Sequence, residues 1–305
     1  MSSMSDPRAN APFGRLLTAM VTPFDAQGAV DLNAAQALAT RLIDEGQDGL
    51  VINGTTGEAP TTSDAEKSAL IRAVVEAVGD RATVVAGVGT NDTAHTLELS
   101  RQAQAAGANG LLVVTPYYNK PPQAGLIKHF TAVADATDLD VLLYDIPART
   151  SLAIADDTYK VLAQHPRIVG SKDATADTER AAVLIRETGL AWYSGDDAVN
   201  LPFFSIGAVG TISVTAHVVG TQMKALHDAF LAGDVAKASA IHQSLMPVFV
   251  GIFRTQGAIL TKAALDMLGF AGGGALRLPL VEATAPERAQ LLIDLREGGV
   301  EGLPD

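Results

Sequence analysis

Of the eight lysines in this 305-residue chain, one closes an apolar run: Lys172, in Ile168-Val169-Gly170-Ser171-Lys172. The other seven stand in helix-like or loop-like polar surroundings. An ammonium at the dry end of a strand loses solvation, so its pKa falls and the neutral amine gains population. A neutral amine attacks carbonyl carbon and forms a Schiff base. The competing reading is an ion pair with a neighbouring carboxylate such as Asp173. Tyr144 closes another apolar run 28 residues earlier, about one strand-plus-helix repeat, which puts the two side chains on adjacent strands at one height. A tyrosine there relays protons. Arg149, in Tyr144-Asp-Ile-Pro-Ala-Arg149-Thr, grips a carboxylate through its planar fork. The alternative is a tyrosine and an arginine on the barrel rim.

Other candidates sit just after apolar runs. Gly54-Thr55-Thr56-Gly57-Glu58 sets two hydroxyls between glycines, able to offer side-chain and backbone donors to a carboxylate; a tight turn with a helix cap is the alternative. Thr115-Pro116-Tyr117-Tyr118-Asn119 puts two aromatics on a loop, where interface packing and catalysis are compatible. Ser194-Gly195-Asp196-Asp197 and the run from Gly210 to Thr215 are small-residue rims that let a substrate approach backbone. There is no GxxxxGK[ST] and no HExxH, Gly87-Val88-Gly89 lacks the third glycine of a dinucleotide loop, and the six histidines have no metal-ligand spacing. No cofactor is implied. The absence of cysteine removes thiolate nucleophiles, disulfides and thiolate metal sites. A formal net charge of -12 weighs against a nucleic-acid or anionic-membrane partner, while leaving room for a local cationic pocket. No run of apolar residues is long enough to span a bilayer. The segment before Arg15 lacks the apolar core of a secretory leader, and a cytoplasmic location is expected.

The elements that must position these residues are short apolar runs separated by helical stretches. The runs are Leu16 to Val21, Gly49 to Ile52, Thr83 to Ala86, Gly110 to Val114, Val141 to Tyr144, Ile168 to Gly170, Ala191 to Ser194 and Val209 to Ser213. Being apolar throughout rather than alternating, they read as parallel strands covered on both faces. Ser63-Asp64 and Asp92-Thr93 open two of the intervening helices, and Gly107 closes the second. Eight strand–helix repeats predict an α/β fold, a (β/α)8 TIM barrel over residues 14–233. An open doubly wound sheet is the rival, but its glycine-rich loop is missing after the first strand. Residues 1–13 read as an arm. From Asp234 the pattern becomes helical without strands, predicting a C-terminal helical extension over 234–305.

Taken together, GTTGE, TPYYN, YDIPART, GSKDAT and SGDD, in this order and spacing, resemble the dihydrodipicolinate synthase and N-acetylneuraminate lyase family. The resemblance runs from about Gly14 into the C-terminal helices. It implies a barrel with a helical extension and a pyruvate-dependent class I aldolase without cofactor. Arg149, TPYYN and GTTGE resemble the family's synthases, which condense pyruvate with aspartate semialdehyde in diaminopimelate and lysine biosynthesis. Its sugar-acid lyases and a non-catalytic acid-binding relative are the alternatives. The resemblance further implies Lys172 as the Schiff-base lysine and Thr55, Tyr144 and Tyr118 as a proton relay, with Tyr118 reaching into a neighbouring subunit of a dimer or tetramer. Thr56 would hold the pyruvate carboxylate, Arg149 the second substrate, and Gly195 and Ile212 would line the pocket. Asp145 and Ser151 depart from the asparagine and glycine common there. Tyr117 and Asn91 match the family's effector site for L-lysine. Asp64 and Lys67 replace histidines and His95 replaces a carboxylate, so weak or absent inhibition by L-lysine is expected.

Overall fold

The computed structural model describes residues 10–304, and residues 1–9 of the expected arm lie outside the described residues. Eight strands follow one another: β1 (Leu16–Ala19), β2 (Gly49–Ile52), β3 (Thr83–Gly87), β4 (Gly110–Val114), β5 (Asp140–Asp145), β6 (Ile168–Asp173), β7 (Ala191–Ser194) and β8 (Gly210–Ser213). They pair in parallel in sequence order, and β8 returns to β1. The expected (β/α)8 barrel is the observed architecture, and the open sheet is excluded.

Each strand sorts its side chains by face. Leu50, Ile52, Val84, Ala86, Leu143 and Trp192 join a core with the surrounding helices. Val51, Val85, Leu112, Leu142, Tyr144 and Tyr193 turn the other way and meet in the barrel interior. Both faces are covered, which is why the strands are largely apolar rather than alternating.

Two strand ends differ from the expected runs by two residues or more. β6 passes the apolar stretch and continues to Asp173, because Ser171, Lys172 and Asp173 stay in register with Leu143, Tyr144 and Asp145 of β5. β1 stops at Ala19 rather than Val21. The Val21 N–H leaves the ladder and donates to His217 Nε2 at 3.1 Å. That imidazole is buried, and burial lowers its pKa to about 4, leaving the neutral ring free to accept.

The helix Asp64–Val78 opens on a capping box in which Ser63 and Glu66 satisfy each other's backbone N–H. Asp92 caps Thr93–Ala105. Beyond β8, the helix Ala216–Leu231 completes the last repeat, and Val235–Gly251, Gly257–Met267 and Ala285–Glu297 follow. The last of these opens on a capping box between Thr284 and Glu287, with Pro286 in its first turn, and buries only Leu291, Asp294 and Leu295. Leu245, Val248, Phe249, Leu260, Leu291 and Leu295 prolong the interior core across the C-terminal helices.

Candidate active site

Tyr144 and Lys172 are directly opposed across β5 and β6, at one height as their spacing requires. Lys172 Nζ stands 4.5 Å from the centre of the Tyr144 ring. Lys172 is 4% exposed. Burial pulls its pKa down to about 8; the nearby Asp197 charge opposes this and Arg149 reinforces it. The ion pair with Asp173 does not form. Asp173 is the next residue on the strand and therefore faces the helix layer. There it accepts from the Thr175 N–H at 2.8 Å, the Thr175 hydroxyl at 2.7 Å and the Trp192 indole at 2.9 Å. Among the described residues, the amine lies beside an aromatic ring without a carboxylate in salt-bridge contact.

Tyr144 is held by its backbone: its carbonyl accepts from the Thr115 N–H at 3.0 Å and the Thr115 hydroxyl at 3.2 Å. Burial raises its phenol to about 12, while Arg149 and the Thr55 side chain pull the other way. The phenol therefore stays protonated near neutrality.

Thr55, Tyr144 and Arg149 share the wall of a cavity of about 390 Å³, which runs past Tyr117 and Asn91 to Asp64, Lys67 and His95. Lys172 lies against the Tyr144 ring but does not line this cavity. Arg149 sits in a single turn of helix, Pro147–Thr150, directly after β5. Gly195 lies against the lysine stem. A Cβ there would stand 3.1 Å from Lys172 Cε and Cγ and 3.0 Å from the Asp173 carbonyl. Thr56 is buried on the Thr55 loop but is not on the cavity wall, and Ile212 is packed in the interior core with Tyr144. Tyr118 is not brought to Lys172 within the chain: it is 89% exposed, and Tyr117 takes the cavity wall instead.

Among the described residues, every non-glycine with positive φ lies in a loop leaving the C-terminal end of a strand: Asn53 and Glu58 after β2, Tyr118 and Lys120 after β4, Ser151 after β5, Ala176 after β6. Such strain gathers where geometry is imposed from elsewhere. Ser151, at φ 57°, explains why glycine suits its position. Asp145, fully buried behind Tyr144, accepts from the Ile154 N–H at 3.3 Å and pairs with Arg180 at 3.4 Å. Its burial pushes the carboxyl up to about 6.

Two features escaped the sequence reading. Asp197, in a stretch read only as a small-residue rim, is buried and accepts from the Val214 and Thr215 N–H groups and the Thr215 hydroxyl at 3.1, 2.9 and 2.9 Å. It ties the end of β8 to the loop after β7 and adds a negative field at Lys172. The expectation that the other lysines are in polar surroundings fails for Lys67, which is buried, and most clearly for Lys262, which is 0% exposed. Lys262 meets Glu58 at 2.5 Å, and that partner lies 204 residues away in sequence, beyond the reach of any local pattern. Among the described residues, no three His, Cys, Asp or Glu side chains gather where they could share a metal ion, and no helix is long and apolar enough to cross a membrane.

The sequence profile of the dihydrodipicolinate synthetase family matches residues 12–297. The chain belongs to this family. The 4-hydroxy-tetrahydrodipicolinate synthase 2 of Streptomyces coelicolor is 60% identical over 99% of this chain and 100% of that protein. The 4-hydroxy-tetrahydrodipicolinate synthase of Acidothermus cellulolyticus is 61% identical over 95% and 94%. Among solved structures, the dihydrodipicolinate synthase of Bacillus anthracis superposes with a TM-score of 0.91 at 41% identity, covering 93% of this chain and 98% of that one. The family enzyme of Cyanidioschyzon merolae, solved with lysine bound, gives 0.91 at 39% identity over 94% and 98%.

Proposed function

We propose that the chain is a 4-hydroxy-tetrahydrodipicolinate synthase, which condenses pyruvate with aspartate semialdehyde on the route to diaminopimelate and lysine. The observation that carries the reading is the pairing of Lys172, an uncapped buried amine, with Tyr144 at one height of the barrel. In this reading the neutral Lys172 amine attacks the ketone of pyruvate, and water leaves. The iminium withdraws electrons, so a methyl proton departs and an enamine forms. The enamine carbon attacks the aldehyde, whose oxygen takes up a proton. The product's own amine then closes on the imine carbon and releases the lysine. The iminium formed with Lys172 is the electron sink, so no metal or organic cofactor enters the scheme.

Thr55, Tyr144 and Tyr118 carry the protons in this scheme, with Tyr118 supplied by a neighbouring copy. Its exposure within one chain supports that assignment. Thr56 holds the pyruvate carboxylate, Arg149 meets the second substrate, and Gly195 and Ile212 shape the pocket. The reading is of a cytoplasmic homo-oligomer, with residues 14–233 as the catalytic unit and 234–305 as the helical domain covering it.

It also includes a weak or absent response to L-lysine. At the far end of the cavity, Asp64 is already paired with His95 at 3.0 Å, and Lys67 places an ammonium beside them. A cationic effector would meet the Lys67 ammonium and a carboxylate already engaged by the His95 ring.

The test is intact-mass analysis after pyruvate and borohydride, with turnover of aspartate semialdehyde set against turnover of sialic acid. One reduced pyruvate per chain and turnover of the semialdehyde alone are expected. No adduct would overturn the reading, and cleavage of sialic acid would replace it with the lyase.

A further inference from the structure

The loop that carries Thr55 and Thr56 ends in a residue that does no chemistry in the scheme above and is nevertheless tightly held. Glu58 is 2% exposed and sits at φ 54°. Its N–H donates to the Thr55 carbonyl at 3.1 Å, so the two residues belong to one turn. The Thr22 hydroxyl holds the middle of the same turn through the Gly57 carbonyl at 2.6 Å.

Both Glu58 oxygens are occupied from the far end of the chain. Lys262, in the helix Gly257–Met267, donates to Oε1 at 2.5 Å and to the Ala275 carbonyl at 2.6 Å. The Arg277 N–H donates to Oε2 at 3.0 Å. The Arg277 guanidinium then reaches the other end of the loop, donating to the Thr61 carbonyl at 2.8 Å and to both oxygens of Glu66 at 3.0 and 2.5 Å. It also donates to the Gly28 carbonyl at 2.8 Å. The Phe24 ring lies beside both cations, with Lys262 Nζ at 4.2 Å and Arg277 Cζ at 4.4 Å from its centre. Two cations from beyond the barrel thus hold both ends of the loop behind Thr55.

A buried ion pair of this kind does not justify itself by stability, since apolar residues of equal volume usually serve as well or better. What an ion pair supplies and an apolar contact does not is direction. Two fixed donors specify where a carboxylate must lie, and the carboxylate specifies the turn. We propose that Lys262 and Arg277 are positioning residues, acting through Glu58 to hold the Thr55 hydroxyl in line with Tyr144. The C-terminal helical region is then a working part of the catalytic site and not only its cover. The inference rests on the proposed function, because it assigns the clamp a part in that reaction.

The experiment compares Lys262→Met, Glu58→Gln and the double variant with the wild type. Each chain is scored for kcat and KM, and for pyruvate trapped by borohydride, with kcat expressed per chain that traps pyruvate so that unfolded protein drops out. Trapping at Lys172 should persist. Each single variant should lose about 10- to 100-fold in kcat, the scale of an ångström-level misplacement of a catalytic group, with KM for pyruvate little changed. The double variant should lose no more than the worse single, because the pair acts as one unit. A kcat within about twofold of wild type in both singles, or losses that multiply in the double, would overturn the clamp. If Lys262→Met gives no folded chain, Glu58→Gln alone decides by the same kcat criterion. A wild type that traps no pyruvate overturns the proposed function and the clamp with it, whereas a normal wild type with unaffected variants overturns the clamp alone.

Discussion

The protein buries two lysines in opposite ways. Lys172 ends its strand beside the face of Tyr144, with Asp173 turned to the other side of the sheet and engaged there. Lys262 lies deeper, at 0% exposure, and is closed in by Glu58, the Ala275 carbonyl and Phe24. Burial lowers both ammonium pKa values; at Lys262 the Glu58 carboxylate opposes the shift from contact distance, while at Lys172 the opposing charge of Asp197 makes no hydrogen bond to the amine. Among the described residues, one amine has no hydrogen-bonded carboxylate, and the other is held by one. Burial alone does not make a lysine reactive; what matters is whether its donors are already spoken for.

The largest effect expected from this contrast is at Lys172. Lys172→Ala should trap no pyruvate and lose at least about 1,000-fold in kcat/KM, because the covalent step disappears. Lys262→Met should still trap pyruvate. An adduct that followed Lys262 rather than Lys172 in intact-mass analysis would reverse the assignment. Tyr144→Phe removes the hydroxyl and leaves the ring, and should lower kcat by about 100- to 10,000-fold, the range for a lost proton relay. Steady-state kinetics decides it, and a near-normal kcat would reduce Tyr144 to a wall.

The stability of the Lys262–Glu58 pair gives the next effect. Lys262→Met leaves the Glu58 carboxylate buried without its partner and should destabilise the fold by about 3–5 kcal/mol, with much of that recovered in Glu58→Gln/Lys262→Met. Urea melts of the three variants measure it; equal stability of single and double would show that the carboxylate finds water.

The pH response separates the two amines further. The rate of pyruvate trapping should rise with pH and level off above about 8, as Lys172 becomes neutral. For stability the sign follows from proton counting. Between about 8 and the ordinary lysine value of 10.5, the folded chain holds fewer protons on Lys172 than the unfolded chain does. The unfolding free energy contributed by this group therefore rises with pH across that window, and below it the cost of the buried charge is fully present. A trapping rate that stayed flat from pH 6 to 9 would indicate that another group limits the step. The smallest expected effect is that of L-lysine. At millimolar concentration it should change activity by less than about twofold, since Lys67 lines the far cavity and Asp64 there is already engaged by the His95 ring. Inhibition at sub-millimolar lysine would overturn this.

The sequence by itself determined the eight-stranded barrel, because strands covered on both faces read as largely apolar runs and repeat with their helices. It also determined the pairing of Tyr144 with Lys172, since a spacing of one repeat on adjacent parallel strands leaves the two at one height. Glycine at 195 and the GTTGE turn were visible as positions where backbone must come close. Tertiary structure alone decided how the charges are shared. Asp173, adjacent to Lys172 in sequence, is removed from it by the two-residue period of a strand. Glu58 and Lys262, 204 residues apart, are brought into contact. Asp197 is set behind the amine by the closure of β7 against β8. Periodicity reports which face a side chain takes. The partner it meets there comes from another element, and only the folded chain brings the two together.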